Sequence, residues 1–212
     1  MNFDRRYFLG ASIAAVGTFV APSSLAAPGG GLAPLRPVAE PMQAAAPKFL
    51  QQALAALDRH SHRIAHRDLI GVCDFTEHSK EERFHLVDVA SGTIRKSLLV
   101  SHGKGSDPKN SGFAERFSNR PGSNASSRGS FLTSDAYVGK HGRSRRLVGL
   151  DPDNDRALER AIVIHGADYV DRHMAERQGR VGRSLGCFAF EQREIGTILE
   201  LLGPGRLLFA AS

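Results

Sequence analysis

Leu69-Ile70-Gly71-Val72-Cys73-Asp74-Phe75 opens a segment in which three short runs rich in Val, Leu, Ile and Phe follow one another. The other two runs are Arg83–Val89 and Ile94–Val100, and the sequence Ala90-Ser91-Gly92-Thr93 between them is typical of a hairpin turn. Strands that follow one another without helices between them favour an antiparallel sheet or sandwich over an alternating α/β fold. This segment therefore predicts a mainly β domain.

Later segments extend this predicted domain with further strands and a helix at each end. Strand composition recurs in Phe131–Val138, Ala161–Ile164 and Leu207–Ala210. Apolar residues at helical spacing predict an N-terminal helix from Phe49 to about Arg59. The same spacing predicts a C-terminal helix over Glu191–Leu202, which ends at Gly203-Pro204-Gly205.

The first 27 residues have the pattern of an export signal. Arg5-Arg6 precedes an uncharged stretch that ends in the small-x-small site Ser24-Leu25-Ala26, and the apolar part is shorter than the roughly 20 residues of a membrane span. The arginine pair resembles the twin-arginine type of signal. We expect residues 1–27 to be cleaved, residues 28–47 to be a flexible linker rich in Pro, Gly and Ala, and residues 48–212 to be the folded domain.

The charge of the chain argues against a nucleic-acid partner. The formal net charge is +6, and the basic residues are spread along the sequence. No cluster of Lys and Arg is interleaved with aromatic residues in the manner of an RNA-binding sheet. We expect mild attraction to anionic surfaces, no nucleic-acid binding and no stable membrane span after removal of the signal.

Arg183-Ser184-Leu185-Gly186-Cys187 and Ile162-Val163-Ile164-His165-Gly166 hold a candidate nucleophile and a candidate base. A thiol at its free pKa is only a few per cent thiolate near neutral pH, so a nucleophilic cysteine needs a nearby imidazole or a positive field. We predict that Cys187 is the nucleophile and that His165 is its general base. A backbone carbonyl or a carboxylate would hold the other ring nitrogen.

The residues around the cysteine predict an oxyanion site. Gly186 allows a sharp turn, so that the backbone N–H groups of Leu185, Gly186 and Cys187 can converge on a developing oxyanion. Ser184 adds a hydroxyl and Arg183 a cation at the mouth of this site. The reaction class that this arrangement implies is acyl transfer through a thioester.

Only two cysteines are present, so one disulfide is possible in an exported domain. We expect instead that Cys73, inside an apolar run, is a buried inert thiol. A second open point is the segment 102–129, half of which is Gly, Ser or Asn. A loop of this length is usually either disordered or functional, and we expect it to line a substrate groove.

His165-Gly166 followed by Ser184-x-Gly186-Cys187 resembles the L,D-transpeptidase catalytic domain of the YkuD type. The resemblance covers about residues 69–210 and is closest to a divergent murein L,D-transpeptidase branch. Three further segments also match that branch: Phe117-Ser118-Asn119, Ser126-Ser127 and Gly139-Lys140-His141-Gly142. The complete set of motifs in this order is specific, whereas each motif alone would be weak.

The resemblance implies an L,D-transpeptidase-type β-sandwich that acts on peptidoglycan stem peptides in the periplasm or cell wall, with a role in cell wall biogenesis and cell shape. Cys187 would attack the L-centre carbonyl of diaminopimelate, release D-Ala, and pass the acyl group to a second stem in a 3-to-3 cross-link. His165 would act as base and then acid, oriented by the carbonyl of Gly166. His141 and Asn119 would contact substrate, and no metal or organic cofactor is implied.

One position departs from the family pattern. The better-known members carry an arginine two residues after the cysteine, where this chain has Ala189. Binding of the substrate carboxylate would therefore need another cation, and Arg183, Arg145 and Arg128 are the candidates.

Three alternative functions remain open at this stage. Water could resolve the same thioester, which would give a carboxypeptidase or amidase. A metal-dependent hydrolase could use His102, His141, His165 and Cys187. A non-catalytic module that binds the cell wall would explain the basic charge, but not the placement of His165 and Cys187. The oligomeric state is not indicated by any of these patterns.

Overall fold

Eight strands and three helices form the part of the chain that the computed structural model describes, residues 46–212. The predicted export signal and residues 28–45 of the predicted linker lie outside the described residues. The elements in chain order are α1 (Lys48–Arg59), β1 (Leu69–Asp74), β2 (Phe84–Asp88), β3 (Thr93–Leu98), β4 (Gly129–Gly139), β5 (Gly142–Gly149), β6 (Val163–Gly166), α2 (Arg172–Gln178), β7 (Phe188–Phe190), α3 (Ile195–Leu201) and β8 (Leu207–Ala211). Within residues 46–212, the helices are too short or too polar to cross a membrane.

All eight strands belong to one sheet, in the order β3-β2-β1-β8-β4-β5-β6-β7. The runs β1-β2-β3 and β4-β5-β6 pair antiparallel, as their direct connections predict. Two pairs, β1 with β8 and β6 with β7, are parallel, which differs from a purely antiparallel expectation. Parallel neighbours need a long crossover, and the segment between β6 and β7, which contains α2, supplies one.

The two ends of this sheet pack against each other around a common core. Phe84 of β2 and Phe190 of β7 make an edge-to-face contact with ring centroids 4.7 Å apart, although their strands are far apart in the sheet order. Phe131 and Phe188 make a similar contact at 5.4 Å. One continuous sheet therefore encloses the core in the manner of a sandwich, and the mainly β fold class is confirmed.

The N-terminal helix covers the opposite face of β1. Leu50, Ala53 and Leu57 of α1 pack with Ile70 and Val72 in a second apolar cluster. Because successive residues of a strand point to opposite faces, the remaining positions of β1 face the main core instead. Burial on both faces explains why β1 is an almost continuous apolar run.

The C-terminal helix is shorter than the sequence predicts. It spans Ile195–Leu201 rather than Glu191–Leu202, because Glu191 is engaged in tertiary contacts before the helix begins. The Glu191 carboxylate accepts from the backbone N–H of Arg172 at 3.1 Å and from the side chain of Arg193 at 3.0 Å. Tertiary contacts thus override helical spacing in the first turn.

Three elements were not predicted. Helix α2 is only seven residues long, although Asp171 accepts from the N–H of Met174 as its N-cap and left-handed Gly179 ends it. Strand β5 is rich in arginine, and β7 is only three residues long. Short or polar elements lack the apolar pattern on which prediction from sequence depends.

The cysteines are not joined in a disulfide. Both thiols are free, so the disulfide alternative is wrong. Cys73 is fully buried in the main core, and burial raises the pKa of its thiol to about 12. The expectation of an inert structural thiol at Cys73 agrees with this environment.

We expect Phe84→Ala to lower the free energy of unfolding by about 3–5 kcal/mol, because it removes a ring between the two ends of the sheet and leaves a cavity. Val138→Ala is the control, since that side chain is 80% exposed, and it should change stability by less than about 0.5 kcal/mol. Urea unfolding followed by circular dichroism measures both. Equal effects of the two substitutions would contradict the packing role of Phe84.

Candidate active site

The parallel pairing of β6 with β7 brings the predicted nucleophile and base to one place. His165 of β6 pairs with Ala189 of β7, two residues after Cys187. Paired residues on neighbouring strands point to the same face of a sheet, and so do residues two apart along a strand. Cys187 and His165 therefore lie on the same face of adjacent segments.

A backbone carbonyl fixes the ring of His165. The ring is buried, and its Nδ1 lies 2.8 Å from the carbonyl oxygen of Gly166. Because a carbonyl oxygen only accepts, Nδ1 carries the proton and Nε2 carries the lone pair. Within the described part of the chain, Nε2 has no hydrogen-bond partner. This is the tautomer that a general base requires.

The surroundings of His165 keep its ring neutral. Burial lowers the pKa of His165, the hydrogen bond to Gly166 opposes that shift, and the charges of His141 and Lys140 add to the lowering. The ring of His141 stacks on that of His165 with centroids 4.3 Å apart and an interplanar angle of 24°. A neutral imidazole at neutral pH is able to accept a proton.

The thiol of Cys187 is half-buried and neutral at rest. Burial raises its pKa, whereas the backbone of Val163 and the charges of Arg160 and Lys140 lower it. Its Sγ donates to the carbonyl oxygen of Ala161 at 3.5 Å. Among residues 46–212, no hydrogen bond joins Sγ to His165. Catalytic hydrogen bonds often tighten only when substrate binds, so the lack of this bond does not exclude His165 as the base.

The turn before Cys187 can be made only with glycine at position 186. Gly186 has a φ of +118°, and a Cβ there would lie 2.7 Å from the carbonyl oxygen of Ala125 and 2.9 Å from Ile162. Both the backbone conformation and the space therefore exclude a larger residue. The turn is held between the 102–129 loop and the strand that carries His165.

Ser184 spans this turn with two hydrogen bonds. Its hydroxyl donates to the carbonyl of Cys187 at 2.7 Å and accepts from the N–H of Gly186 at 3.1 Å. The amide of Gly186 is thus occupied in the resting state. The structure shows no acceptor within residues 46–212 for the N–H groups of Leu185 and Cys187, so two of the three predicted amides remain available to an oxyanion.

The 102–129 loop is a folded part of the site. Ser184 donates its N–H to the carbonyl of His102, and Lys104 donates to the carbonyl of Ser184, each at 2.9 Å. Gly103 also forms a parallel β-bridge with Ser184. The disorder alternative is therefore wrong, because the loop is bonded to the cysteine turn by backbone hydrogen bonds and a β-bridge.

A buried charge network anchors the loop. Arg83 donates to Nδ1 of His102 at 2.7 Å, and Nε2–H of His102 donates to Asp107 at 3.3 Å. Burial lowers the pKa of His102 to about 4, and the neighbouring positive charge of Arg83 adds to the shift. Both ring nitrogens are occupied, which leaves none for a metal. Residues 46–212 contain no group of three or more His, Cys, Asp or Glu that could hold a metal ion.

The family model of the L,D-transpeptidase catalytic domain matches residues 41–211 of this chain. The chain belongs to this family. The resemblance seen in the His-Gly and Ser-x-Gly-Cys motifs is thereby confirmed. A search of curated proteins gives no significant match.

Solved structures, L,D-transpeptidases among them, resemble this domain only distantly. An enzyme from Mycobacterium smegmatis is 13% identical with a TM-score of 0.42, over 68% of this chain and 59% of its own. L,D-transpeptidase 3 from Mycobacterium tuberculosis, solved with a faropenem-derived adduct, is 12% identical with a TM-score of 0.41, over 68% and 60%. The cell shape determining protein Pgp2 from Campylobacter jejuni is 10% identical with a TM-score of 0.45, over 78% and 56%. This chain thus covers less than two thirds of each, and the assignment to the family rests on the family model.

The three arginines proposed from the sequence of this L,D-transpeptidase domain already have protein partners. Arg145 is buried and donates to two backbone carbonyls. Arg128 forms an ion pair with Asp153 at 2.8 Å, and Arg183 donates to the backbone carbonyl of Asp107. The structure therefore does not single out any of them as the substitute for the missing cation.

Arg160 is a site residue that the sequence does not reveal. Its guanidinium donates to the carbonyls of Ser118 and Ala125 and to the hydroxyl of Ser127. One guanidinium nitrogen lies 3.2 Å from the Cβ position at Gly186. Arg160 thus holds the 102–129 loop against the cysteine turn. It could not be recognised from the sequence, because it lies in a polar segment without a motif or a regular spacing.

The side chain of Asn119, on the same loop, is engaged in contacts with protein groups. Its side chain donates to the carbonyl of Pro152 at 3.0 Å and to Asp155, and it accepts from the N–H of Arg156 at 3.2 Å. These contacts hold the loop to the segment after β5. A contact of Asn119 with substrate stays a prediction.

We expect Gly186→Ala to increase the rate at which iodoacetamide labels Cys187, because a turn that cannot hold a Cβ must open and so exposes a thiol whose pKa burial raises. Gly196→Ala is the control, since a Cβ at that helical position has open space and alanine favours the helix. Intact-protein mass spectrometry measures labelling, and circular dichroism checks the fold. Wild-type labelling in Gly186→Ala would contradict the steric account of this turn.

Proposed function

We propose that this domain is a cysteine L,D-transpeptidase that acts on peptidoglycan stem peptides through a thioester acyl-enzyme. The observation that supports this proposal is the orientation of the His165 ring. The carbonyl of Gly166 holds its Nδ1 proton, and Nε2, on the face shared with Cys187, has no partner among residues 46–212. Membership of the L,D-transpeptidase family supplies the substrate class. The chemistry then follows from the protonation states of the two side chains.

In the first half-reaction, Nε2 of His165 takes the thiol proton as Sγ of Cys187 attacks the L-centre carbonyl of diaminopimelate in a donor tetrapeptide. The free N–H groups of Leu185 and Cys187 stabilise the oxyanion that forms. The C–N bond to D-Ala then breaks, and the imidazolium of His165 gives its proton to the leaving amine. A thioester between the donor and Cys187 remains.

In the second half-reaction, the side-chain amine of a second stem peptide attacks the thioester. The new C–N bond forms, the C–S bond breaks, and a proton returns to the sulfur through His165. The product is a 3-to-3 cross-link. Attack by water on the same thioester would give a tripeptide instead, which makes the product the point that separates transpeptidase from carboxypeptidase.

The site of action in this proposal is the cell wall outside the cytoplasm. Peptidoglycan is an exported polymer, and the Arg5-Arg6 pattern of residues 1–27 predicts export by a twin-arginine type of signal. The positive net charge of the chain favours association with an anionic wall.

Incubation of the purified domain with tetrapeptide stems should give cross-linked dimers that tandem mass spectrometry locates at the 3-to-3 position. Cys187→Ser should give none, because an alcohol beside a neutral imidazole in this site is a far weaker nucleophile. Cys73→Ala, which removes the other thiol, should retain the activity. Tripeptides alone would indicate a carboxypeptidase, and unchanged substrate with retained binding would indicate a wall-binding module; either result would overturn the proposal.

The rate should fall on the acid side with a midpoint below 6.5, because burial lowers the pKa of His165 and only the neutral ring accepts the thiol proton. His141→Gln removes a neighbour whose coulombic effect lowers the pKa of His165 and exposes the His165 ring, so both effects raise that pKa and move the midpoint to higher pH. His173→Gln, at an exposed position, should leave it unchanged. A pH profile of kcat/KM measures this, and an unmoved midpoint in His141→Gln would contradict the assigned role of the stack.

A further inference from the structure

The proposed reaction requires a cation that binds a carboxylate of the donor peptide. A stem-peptide donor carries carboxylates beside the bond that is broken, and Ala189 stands where the better-known family members have an arginine. Ala189 is fully buried and offers no charge. A carboxylate that approaches Cys187 therefore needs a cation from another part of the chain. The inference below rests on the proposed function, because it concerns how the donor peptide of that reaction is bound.

Lys140 lies at the tip of the β4–β5 hairpin, next in the chain to the residue that stacks on His165. Gly139 pairs with Gly142, so Lys140 and His141 are the two residues of the turn. The ring of His141 lies on that of His165, which fixes the turn at the mouth of the site. The pairing of Gly139 with Gly142 and the stacking of His141 on His165 therefore fix the backbone position of Lys140.

The ammonium group of Lys140 is available to a ligand. Its side chain is exposed, and within residues 46–212 it has no ion-pair or hydrogen-bond partner. In this it differs from Arg128, Arg145 and Arg183, whose guanidinium groups contact protein acceptors. Arg160 differs as well, because it donates to loop carbonyls and a hydroxyl.

The charge of Lys140 acts on both members of the catalytic pair. It lowers the pKa of His165 and the pKa of Cys187. Besides Lys140, only Arg160 contributes a positive charge to the shift at Cys187. An anion held by Lys140 would lie at the hairpin turn whose other residue, His141, stacks on the ring of His165.

We propose that Lys140 binds the carboxylate of the donor peptide and replaces the arginine that the family pattern places after the cysteine. A lysine ammonium is a compact, flexible point charge rather than a planar fork. The contact is therefore a single, solvent-exposed ion pair that orients the donor, and salt weakens it. Lys140 determines which donors the site accepts.

Two small electrophiles of nearly equal size test this proposal directly. Iodoacetate carries a carboxylate, iodoacetamide is neutral, and both alkylate the same sulfur with loss of iodide. The ratio of their rates at Cys187, measured by mass spectrometry at low ionic strength, isolates the attraction for the carboxylate. Any change in the thiol pKa affects both reagents and cancels in the ratio.

We expect the ratio of the iodoacetate rate to the iodoacetamide rate to fall about two- to fivefold in Lys140→Gln, as for the loss of an exposed ion pair. Lys140→Arg should retain the ratio, and high salt should bring the wild type down to the level of Lys140→Gln. As the control, Lys109→Gln removes a positive charge from the 102–129 loop instead of the hairpin tip and should leave the ratio unchanged. An unaltered ratio in Lys140→Gln, or an equal fall in Lys109→Gln, would overturn the proposal.

Turnover of tetrapeptide stems separates this inference from the proposed function. Lys140→Gln should raise KM for the donor more than it lowers kcat, because the contact positions the donor and transfers no proton. If the wild type makes no cross-links but the alkylation ratio depends on Lys140, the proposed function fails and the carboxylate site stands. If the wild type makes cross-links and the ratio is independent of Lys140, only the carboxylate site fails.

Discussion

The parallel pairing of β6 with β7 is the constraint on which the site depends. It places Cys187 beside the strand that carries His165, with both side chains on one face. Neither residue could be positioned by its own segment, because β7 has three residues and the turn before it is made possible only by Gly186. The long crossover through α2, the packing of Phe188 and Phe190 in the core, and the bridge from Gly103 to Ser184 all hold this pairing in place. The fold therefore serves the site chiefly by fixing one short strand.

The electrostatics of the site follow from burial rather than from a preformed ion pair. Burial raises the pKa of Cys187 and lowers that of His165, so both groups are neutral at rest. The positive charges of Arg160 and Lys140 lower the pKa of Cys187 and so oppose the effect of burial. These two cations have different structural roles. Arg160 is bound to the loop and stabilises the cysteine turn, whereas Lys140 at the hairpin tip has no hydrogen-bond or ion-pair partner among residues 46–212. A neutral pair with a fixed tautomer suits a nucleophile that needs to form its thiolate only when a substrate carbonyl is present.

The succession of strands and both terminal helices were predictable because their apolar residues recur at strand or helix spacing. The meeting of Cys187 and His165 on one face was expected from their residue types and their order along the chain, and the pairing of β6 with β7 agrees with it, whereas their catalytic roles stay a prediction. Strand β5 was not predictable, since its arginines hide the alternation of apolar and polar residues. The start of α3 was predicted too early, because Glu191 makes other contacts in place of a first helical turn. Arg160 could not be found, because its role depends on loop carbonyls that come together only in the fold. The missing arginine after Cys187 was visible in the sequence, but its candidate replacement depends on where the β4–β5 hairpin ends.

The acyl-enzyme tests the central claim most directly. A tetrapeptide donor is mixed with the domain in the absence of an acceptor, quenched with acid, and followed by intact-protein and peptide mass spectrometry. The account predicts a mass increase equal to the donor minus D-Ala, located on Cys187 and absent in Cys187→Ser. Release of D-Ala by Cys187→Ser at the wild-type rate, or an adduct on a different residue, would contradict nucleophilic catalysis by Cys187.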